Sequence, residues 1–413
     1  MCKVNVFFLF RSTFSPIFSS GKLKKMAPLI KVLNGKIENT FSDYASNDEM
    51  FELKTELGKY SMDAIASCGF GVDSKSLGNK NESEFAKSAA QIFKISPGLL
   101  FFVLFMSPIF CKNPKVALLR KYLVKSGMAP FLEFPNQKEN LFFINVVESA
   151  IKQRRETKTK RNDLIDMMIE ALDSPNFGGA DDDEHENDQF ERDSKIHGFD
   201  SSKTKLNEDY IIATAIVLMQ AGYDTTALTM STALYELTLN PECQRKLQEE
   251  LDEANIDDYS TLQGLPYLDA VIHETLRMHP ILPTLDKICT KDYKVPGTNI
   301  TIKPGDVIQI SAMGIGFDPK YFKNPEVFDP ENFMKERKAE RDPLTFLGFN
   351  QGPRSCIAMR FALLEMKICL SHLLLNFNFI PCEKTTRNYE TSVDGFLGGI
   401  KGGAWVKCER KKC

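Results

Sequence analysis

The chain has 413 residues, 43% of them hydrophobic, so it can bury a large core and lies within the size range of a large single-domain enzyme. Its 52 lysines and arginines nearly balance 55 aspartates and glutamates, and the net charge of -3 argues against nucleic acid as a partner. The ten cysteines are irregularly spaced and form no CxxC pair, which argues against a disulfide scaffold and a structural zinc site and favours a reducing compartment.

Two apolar stretches near the N-terminus bear on membrane attachment. MCKVNVFFLFRSTFSP holds an apolar run shorter than the about 20 residues of a spanning helix, and it lacks a small-residue cleavage site. The stretch 95–110 is interrupted by Pro97, Gly98 and Pro108, so it makes a poor transmembrane helix. It is either a peripheral contact with a membrane interface or a buried loop and helix, and the residues favour neither.

Helical periodicity dominates the chain. Apolar residues recur every three or four positions in FELKTELGKYSMDAIASC, LFFINVVESAIKQRRE and NDLIDMMIEAL. Strand-like patterns are found mainly in the C-terminal third, in NITIKPGDVIQIS and GFLGGIKGGAWVKCE. The sequence therefore predicts a mainly α fold with a minor β part.

The segment 174–205 is polar, strongly acidic and poor in apolar residues. It cannot bury enough surface to offset the entropy of ordering, so we expect a disordered connector between two helices. A functional acidic segment is the alternative, and composition favours the connector.

After this segment, one long helix is predicted from Asn207 or Glu208 to Pro241, roughly 50 Å at 1.5 Å per residue. Its first half is apolar on all sides and is expected to cross the interior. AGYDTT in its middle allows two interpretations. In the first, the threonines bond back to carbonyls one turn earlier and Asp224 pairs with a basic residue. In the second, the helix widens beside a reaction centre where Asp224 and Thr225 transfer protons. The stretch by itself slightly favours the first.

The next helix, LPYLDAVIHETLRMHP, ends at Pro280 and places Glu274 and Arg277 on one face. On an exposed face this pair contributes a few tenths of a kcal/mol. The flanking residues are apolar and indicate partial burial, where losing one partner costs about 3 to 5 kcal/mol. These flanking residues are Leu268, Val271, Ile272 and Leu276.

His273 and His279 in the same helix only mimic a zinc-protease motif. Six residues at 100° each place them about 240° apart, so they cannot share a metal as an i, i+4 pair does. The histidines therefore predict no zinc site.

Cys356 in FLGFNQGPRSCIAMRFALLEMK lies between a tight turn and an amphipathic helix. The helix start supplies backbone N–H groups and Arg354 a fixed positive charge, and both favour a thiolate. Gly352 and Pro353 allow the backbone to approach a flat ligand, and Phe349 can pack beside the sulfur. These are the requirements of a cysteine that ligates haem iron. The alternative, a small buried hydrophobe, is accepted for the other nine cysteines.

Three motifs now identify a family. Phe349, Gly352, Arg354 and Cys356 match F-x-x-G-x-R-x-C-x-G, with Ala358 in place of the final glycine. ETLR matches E-x-x-R, and AGYDTT matches an oxygen-activation stretch. Because the three motifs occur in this order and at these separations, the chain resembles a cytochrome P-450 over essentially its whole length. It is most similar to the microsomal clan that handles drugs, toxins and steroids.

The resemblance implies one mostly α domain over residues 1–413, with haem b, iron protoporphyrin IX, between the AGYDTT helix and the helix after Cys356. Cys356 would be the fifth iron ligand, and its electron donation favours O–O cleavage. Thr225, aided by Asp224, would hold dioxygen and relay protons to it. Glu274 and Arg277 would hold in place the loop that presents the cysteine.

The resemblance also assigns the residues around the haem. Arg11 and Arg354 would pair with the haem propionates, assisted by Lys287 where relatives often carry arginine. Arginine suits a two-oxygen grip better, so lysine weakens the hold. The substrate contacts would be apolar or small, which suits an oily substrate. They would come from Ala221, Thr225, Ile281, Leu282 and Phe396.

The implied activity is insertion of one oxygen atom from O2 into a lipophilic small molecule. Electrons would come from NADPH through a membrane reductase, with cytochrome b5 as a further donor, at the cytosolic face of the endoplasmic reticulum. Two alternatives remain: a truncated protein without catalytic activity, with or without haem, and a haem-thiolate isomerase or dehydratase that needs no reductase. Asp224 and Thr225 count against the isomerase or dehydratase.

The chain departs from the family pattern at three positions. Phe7 stands at the tryptophan position of W-x-x-x-R, four residues before Arg11. Asn332 replaces an arginine that normally completes a network with Glu274 and Arg277. The resemblance further leads us to expect an N-terminally incomplete chain that lacks an anchor, the first strands of the main sheet and a loop over the substrate pocket.

Overall fold

Helices form most of the described structure, including those that the sequence predicted. The computed structural model describes residues 11, 13–78, 84–92, 137–173, 207–387, 389–392 and 397–411. Phe7, the stretch 95–110, the connector 174–205 and Phe396 lie outside these ranges, so the expectations for them stay predictions.

The helices are numbered in chain order. They are α1 (Ser20–Lys31), α2 (Asn34–Asn47), α3 (Leu53–Ile65), α4 (Glu84–Ile92), α5 (Gln137–Thr157), α6 (Leu164–Asp173), α7 (Glu208–Leu239), α8 (Pro241–Glu253), α9 (Tyr259–Gly264), α10 (Pro266–Met278), α11 (Ala312–Gly316), α12 (Lys335–Ala339) and α13 (Met359–Asn376). A π-helical turn, Ala66–Phe70, extends α3. The three periodic segments quoted above correspond to α3, α5 and α6, so those predictions are confirmed.

The strands are short and pair mainly near the C-terminus. They are β1 (Phe51–Glu52), β2 (Thr284–Ile288), β3 (Tyr293–Lys294), β4 (Thr301–Ile302), β5 (Val307–Ser311), β6 (Phe377–Ile380), β7 (Thr391–Ser392), β8 (Gly399–Ile400) and β9 (Trp405–Arg410). One sheet has the order β1-β9-β6, and β2-β5, β3-β4 and β7-β8 form antiparallel pairs. The fold is mainly α with a minor β part, as predicted.

Helix α7 is the central element. Its 32 residues extend about 48 Å at 1.5 Å per residue, and Asn207 and Asn240 flank it at the predicted ends. By length and composition it would also suit a membrane span. Its neighbours are those of a core helix, however, because it packs against α3, α10 and α13.

Burial along α7 differs from the prediction. The first half is only partly buried, and Val217 is 59% exposed, whereas every residue from Thr226 to Leu239 is buried. The threonines of the second half tolerate burial because their hydroxyls bond back to the helix. Thr229 donates to the Thr225 carbonyl at 2.9 Å, and Thr238 to the Leu234 carbonyl at 2.8 Å.

Candidate functional site

A cavity of about 280 Å³ lies between α7 and the loop that precedes α13. It opens to solvent at its mouth, and its walls are mostly apolar, as is usual for a site that binds a small molecule. The structure brings seven predicted residues together in its walls. They are Ala221, Thr225, Ile281, Leu282, Phe349, Arg354 and Cys356.

The wall residues that were not predicted include four that lie far apart in sequence: Phe18, Ile65, Leu285 and Met366. They come from four different elements, and their apolar side chains looked like ordinary core residues. No local signal in the sequence distinguishes them from the rest of the core.

The cysteine loop is closed by backbone hydrogen bonds. The Cys356 N–H donates to the Phe349 carbonyl at 2.8 Å, and the Ser355 N–H to the Gly352 carbonyl at 2.9 Å. Gly352 has φ of 74°, a left-handed conformation that favours glycine, as the predicted tight turn requires. The Cys356 side chain is exposed in the cavity wall.

The surroundings of the thiol have opposing effects on its pKa. Burial among neighbouring protein atoms raises the pKa of Cys356, while the Ala358 backbone N–H and the Arg11 charge lower it. Helix α13 begins at Met359, three residues after the cysteine, so the helix start that was expected beside Cys356 lies farther along the chain. The nearest stabilising donor is instead the Ala358 N–H in the residues leading into the helix.

Three cations gather around this loop. Arg11 donates to the Ser355 carbonyl at 2.8 Å and to the Ser355 hydroxyl at 3.2 Å. Lys287 donates to Asn350 Oδ1 at 3.1 Å, and burial and the charge of Arg354 lower the pKa of Lys287. Neighbouring positive charges beside an apolar cavity fit a flat apolar ligand with carboxylates at one edge.

Asn350 is a site residue that sequence reasoning missed. Its φ is 61°, a left-handed conformation that asparagine tolerates better than most residues. Besides Lys287, its side chain accepts from the Gln351 N–H at 2.8 Å and donates to the Arg354 carbonyl at 3.3 Å. It therefore links the cationic groups to the cysteine loop.

On the opposite wall, the polar residues of AGYDTT have local partners. The Thr225 hydroxyl donates to the Ala221 carbonyl at 2.5 Å, and Asp224 pairs with Lys54 Nζ at 3.1 Å. Asp224 is not among the cavity-lining residues, and α7 is a continuous α-helix through this stretch, without the widening of the second interpretation. Both contacts required by the structural interpretation are thus present, while Thr225 also faces the cavity.

Helix α3 holds this part of α7 from behind, which no sequence pattern indicated. Lys54 pairs with Asp224, Gly58 faces the ring of Tyr223, and the Ser61 hydroxyl donates to the Gly222 carbonyl at 3.3 Å. A Cβ on Gly222 would lie 3.2 Å from Ile65 Cδ1, so the glycine permits this close approach. The packing offsets the unfavourable helix propensity of glycine.

The Glu274–Arg277 pair is fully buried, whereas its apolar neighbours predicted only partial burial. Arg277 Nε donates to Glu274 Oε2 at 2.7 Å and Nη2 to Oε1 at 2.8 Å, a bidentate pair. Arg277 also donates to the Gly316 and Pro325 carbonyls at 2.7 Å, and Asn332 Nδ2 donates to Glu274 Oε1 at 3.1 Å. Asn332 therefore joins the network without adding a charge.

The same helix reaches the cysteine loop through apolar contacts. A Cβ on Gly348 would lie 3.0 Å from Leu276 Cβ, and the ring centroids of His273 and Phe346 are 5.0 Å apart. The ion pair therefore holds mainly the segment 316–332, and the apolar face of α10 contacts the start of the cysteine loop.

Ala358 occupies the family's glycine position without backbone strain, since its φ is -98°. We therefore expect Ala358→Gly to leave haem retention unchanged, because no left-handed conformation requires glycine here. Haem content after gel filtration, measured for both proteins at equal concentration, checks this. A large increase in retention with glycine would show that the methyl group obstructs the haem.

Comparisons with known proteins agree with this geometry. The family model described as Cytochrome P450 matches residues 6–404. Cytochrome P450 6k1 of Blattella germanica is 33% identical over 392 residues, which is 92% of this chain and 70% of the relative. Cytochrome P450 6B2 of Helicoverpa armigera is 34% identical, over 95% of this chain and 72% of the relative. Cytochrome P450 3A11 of Mus musculus is 33% identical, over 94% of this chain and 71% of the relative.

Proposed function

The chain belongs to the cytochrome P450 family of haem-thiolate monooxygenases, and we propose that Cys356 is its iron ligand and Thr225 its oxygen-side hydroxyl. The observation that carries this proposal is their placement in the walls of one cavity, Cys356 in the loop before α13 and Thr225 on α7. The exposed thiol, the apolar walls and the nearby cations fit haem b. When bound, haem supplies the activation of oxygen.

The protein residues would position groups and move protons. The Thr225 hydroxyl rests on the Ala221 carbonyl and can turn its proton toward oxygen in the cavity. Asp224 would replenish that proton from the Lys54 side of α7, where solvent has partial access to both groups. Most of the cavity wall is apolar, which disfavours water beside the reacting groups.

We further propose roles for the residues at the cavity edge and mouth. Arg11, Arg354 and Lys287 would neutralise the two haem carboxylates. Ala221, Ile281 and Leu282 would contact a lipophilic substrate, and Phe396 is assigned the same role by resemblance alone. The apolar character of the described wall residues supports this substrate class.

The source of electrons and the location in the cell follow from family membership. We propose that NADPH supplies electrons through a membrane reductase, that cytochrome b5 is a further donor, and that the protein acts at the cytosolic face of the endoplasmic reticulum. Residues 95–110 are proposed as a peripheral membrane contact. Flotation of the purified chain with lipid vesicles, with and without these residues, tests the membrane contact.

The reduced, carbon monoxide-bound absorption spectrum of the full chain tests the function. A red-shifted Soret band of a thiolate-ligated haem is the expected result. A protein that binds no haem would overturn the proposal and favour the non-catalytic alternative. Oxidation of a lipophilic probe with added reductase then separates a monooxygenase from a passive haem binder.

We expect Thr225→Ala to lower product formation about 10²-fold or more, because loss of a positioned proton donor commonly has this effect. The carbon monoxide spectrum should stay unchanged, and Thr225→Ser should restore most of the activity. Thr238→Ala is the matched control, since that threonine makes the same back-bond on α7 and is not among the cavity-lining residues. Equal activity of the two alanine variants would contradict the proposed role.

A further inference from the structure

Glu365 is a fully buried carboxyl group on α13 that the proposed chemistry does not use. Its side chain is 0% exposed, and within the described part of the chain neither carboxyl oxygen has a hydrogen-bond partner of standard geometry. A charged group in this position would be strongly unfavourable, and even a neutral one needs a partner. The position therefore needs an explanation in terms of protonation.

The groups that face Glu365 carry no positive charge to stabilise its carboxylate. They are Tyr60 and Ser61 on α3, Cys68 in the π-helical turn and Cys369 on α13. Lys367 lies two residues away on the same helix, but its Nζ bonds to the Gln263 carbonyl and pairs with Asp269. Burial raises the pKa of Glu365 to about 8, and the Ser61 hydroxyl only partly lowers it. The group is therefore mainly protonated at neutral pH.

The Ser61 hydroxyl neighbours this carboxyl group and also contacts Gly222, a residue of the cavity wall. Its hydroxyl has one proton, which the structure directs to the Gly222 carbonyl at 3.3 Å. A protonated Glu365 can donate to Ser61 Oγ and leave that bond in place. An ionised Glu365 would accept the Ser61 proton itself, and the Gly222 carbonyl would lose its donor.

We propose that Glu365 is a positioning residue: its carboxyl proton is donated to Ser61, which donates to the Gly222 carbonyl and so holds the segment Gly222–Thr225 of α7 at the cavity. Three helices are joined by this chain of hydrogen bonds, α13 through Glu365, α3 through Ser61 and α7 through Gly222. The helix that follows Cys356 is thereby connected with the segment that carries Thr225. Only the consequence for catalysis rests on the proposed function, since the hydrogen-bond chain itself needs no haem.

The pH dependence of stability follows from linkage. A carboxyl group with a raised pKa in the folded state binds more protons there than in the unfolded chain between its ordinary value of 4.5 and about 8. The contribution of Glu365 to the free energy of unfolding is therefore full below about pH 4.5 and is lost as the pH rises through about 8. The Glu365→Gln variant keeps a donor and an acceptor but does not titrate, so it should lack this component.

Two measurements on the full chain test the protonation state. The infrared difference between wild type and Glu365→Gln should contain the carbonyl stretch of a protonated carboxylic acid at pH 6. The melting temperature of the wild type should fall more steeply than that of Glu365→Gln between pH 5 and 8. An absent acid band, or identical pH slopes in the two proteins, would overturn the proposal.

Amide hydrogen exchange tests the connection with α7. In Ser61→Ala and Glu365→Leu, exchange of residues 221–226 should become several-fold faster, and the double variant should not exceed the larger single effect. Glu365→Gln should exchange like the wild type. Ser371→Ala is the control, because Ser371 is a buried serine on α13 whose hydroxyl donates to the Ile368 carbonyl of the same helix. Unchanged exchange in Ser61→Ala, or equal acceleration in Ser371→Ala, would contradict the positioning role.

The same variants test whether the hydrogen-bond chain from Glu365 through Ser61 to Gly222 affects catalytic activity. Glu365→Leu should lower product formation per bound haem, and Glu365→Gln should restore it. If the wild type binds no haem, the proposed function fails while the infrared, melting and exchange measurements still decide the hydrogen-bond chain. If haem binds and those three measurements are negative, only the inference about Glu365 fails.

Discussion

Replacing Cys356 with serine should abolish the red-shifted carbon monoxide band and the monooxygenase activity. A serine hydroxyl stays protonated near neutral pH and does not supply the electron donation of a thiolate. The backbone of the cysteine loop should be retained, because the Cys356 N–H bond to the Phe349 carbonyl does not involve the side chain. Far-ultraviolet circular dichroism and the reduced spectrum, recorded at equal protein concentration, measure both effects.

Cys382→Ser is the matched control for this variant. Cys382 is half-buried, and its sulfur accepts a long contact of 3.5 Å from the Thr385 hydroxyl. We expect its spectrum to equal that of the wild type. A normal thiolate band in Cys356→Ser, or its loss in Cys382→Ser, would assign the ligand to another cysteine.

Arg277→Leu should reduce the free energy of unfolding by about 3 to 5 kcal/mol, because it leaves the Glu274 carboxylate buried without its cation. Arg277 is 1% and Glu274 0% exposed, so solvent cannot replace the lost partner. The carbonyls of Gly316 and Pro325 lose their donor as well. Urea denaturation followed by circular dichroism measures the change.

Arg245→Gln provides the contrast, since Arg245 forms exposed ion pairs with Glu242 and Glu249 on α8. Exposed pairs of this kind contribute little because solvent screens them, so this variant should be nearly as stable as the wild type. The double variant Glu274→Leu with Arg277→Leu should recover part of the loss, because it removes the unpaired charge. A loss below about 1 kcal/mol in Arg277→Leu would show that the pair does not stabilise the fold.

Much of the fold was readable from local pattern. The apolar spacing of α5 and α6, and the proline that follows α7, act within a few residues, so the sequence contains their physical cause. The turn at Gly352 was equally predictable, because a left-handed conformation selects glycine directly. Burial along α7 was predicted poorly, since it depends on which helices pack against each half.

The candidate site likewise contains residues that the sequence predicted and residues that it did not. Motif spacing identified Cys356, Arg354 and Thr225, and family resemblance placed them around haem. The partner of Asp224 was not predictable, because Lys54 lies 170 positions earlier and exposed lysines are common. Asn350 was missed because its role depends on where Lys287 and Arg354 lie after folding.

The sequence by itself determined the family, the iron ligand to propose and the elements that carry the chemistry, since these depend on residue type and short spacing. Only the tertiary structure decided that α3 packs behind the Gly222–Thr225 segment and that Glu365 is buried beside Ser61. The reason is physical: the protonation of a carboxyl group and the partner of a carbonyl depend on the solvent and charges around them. Those surroundings come from residues far apart in the chain, which meet only when the helices pack.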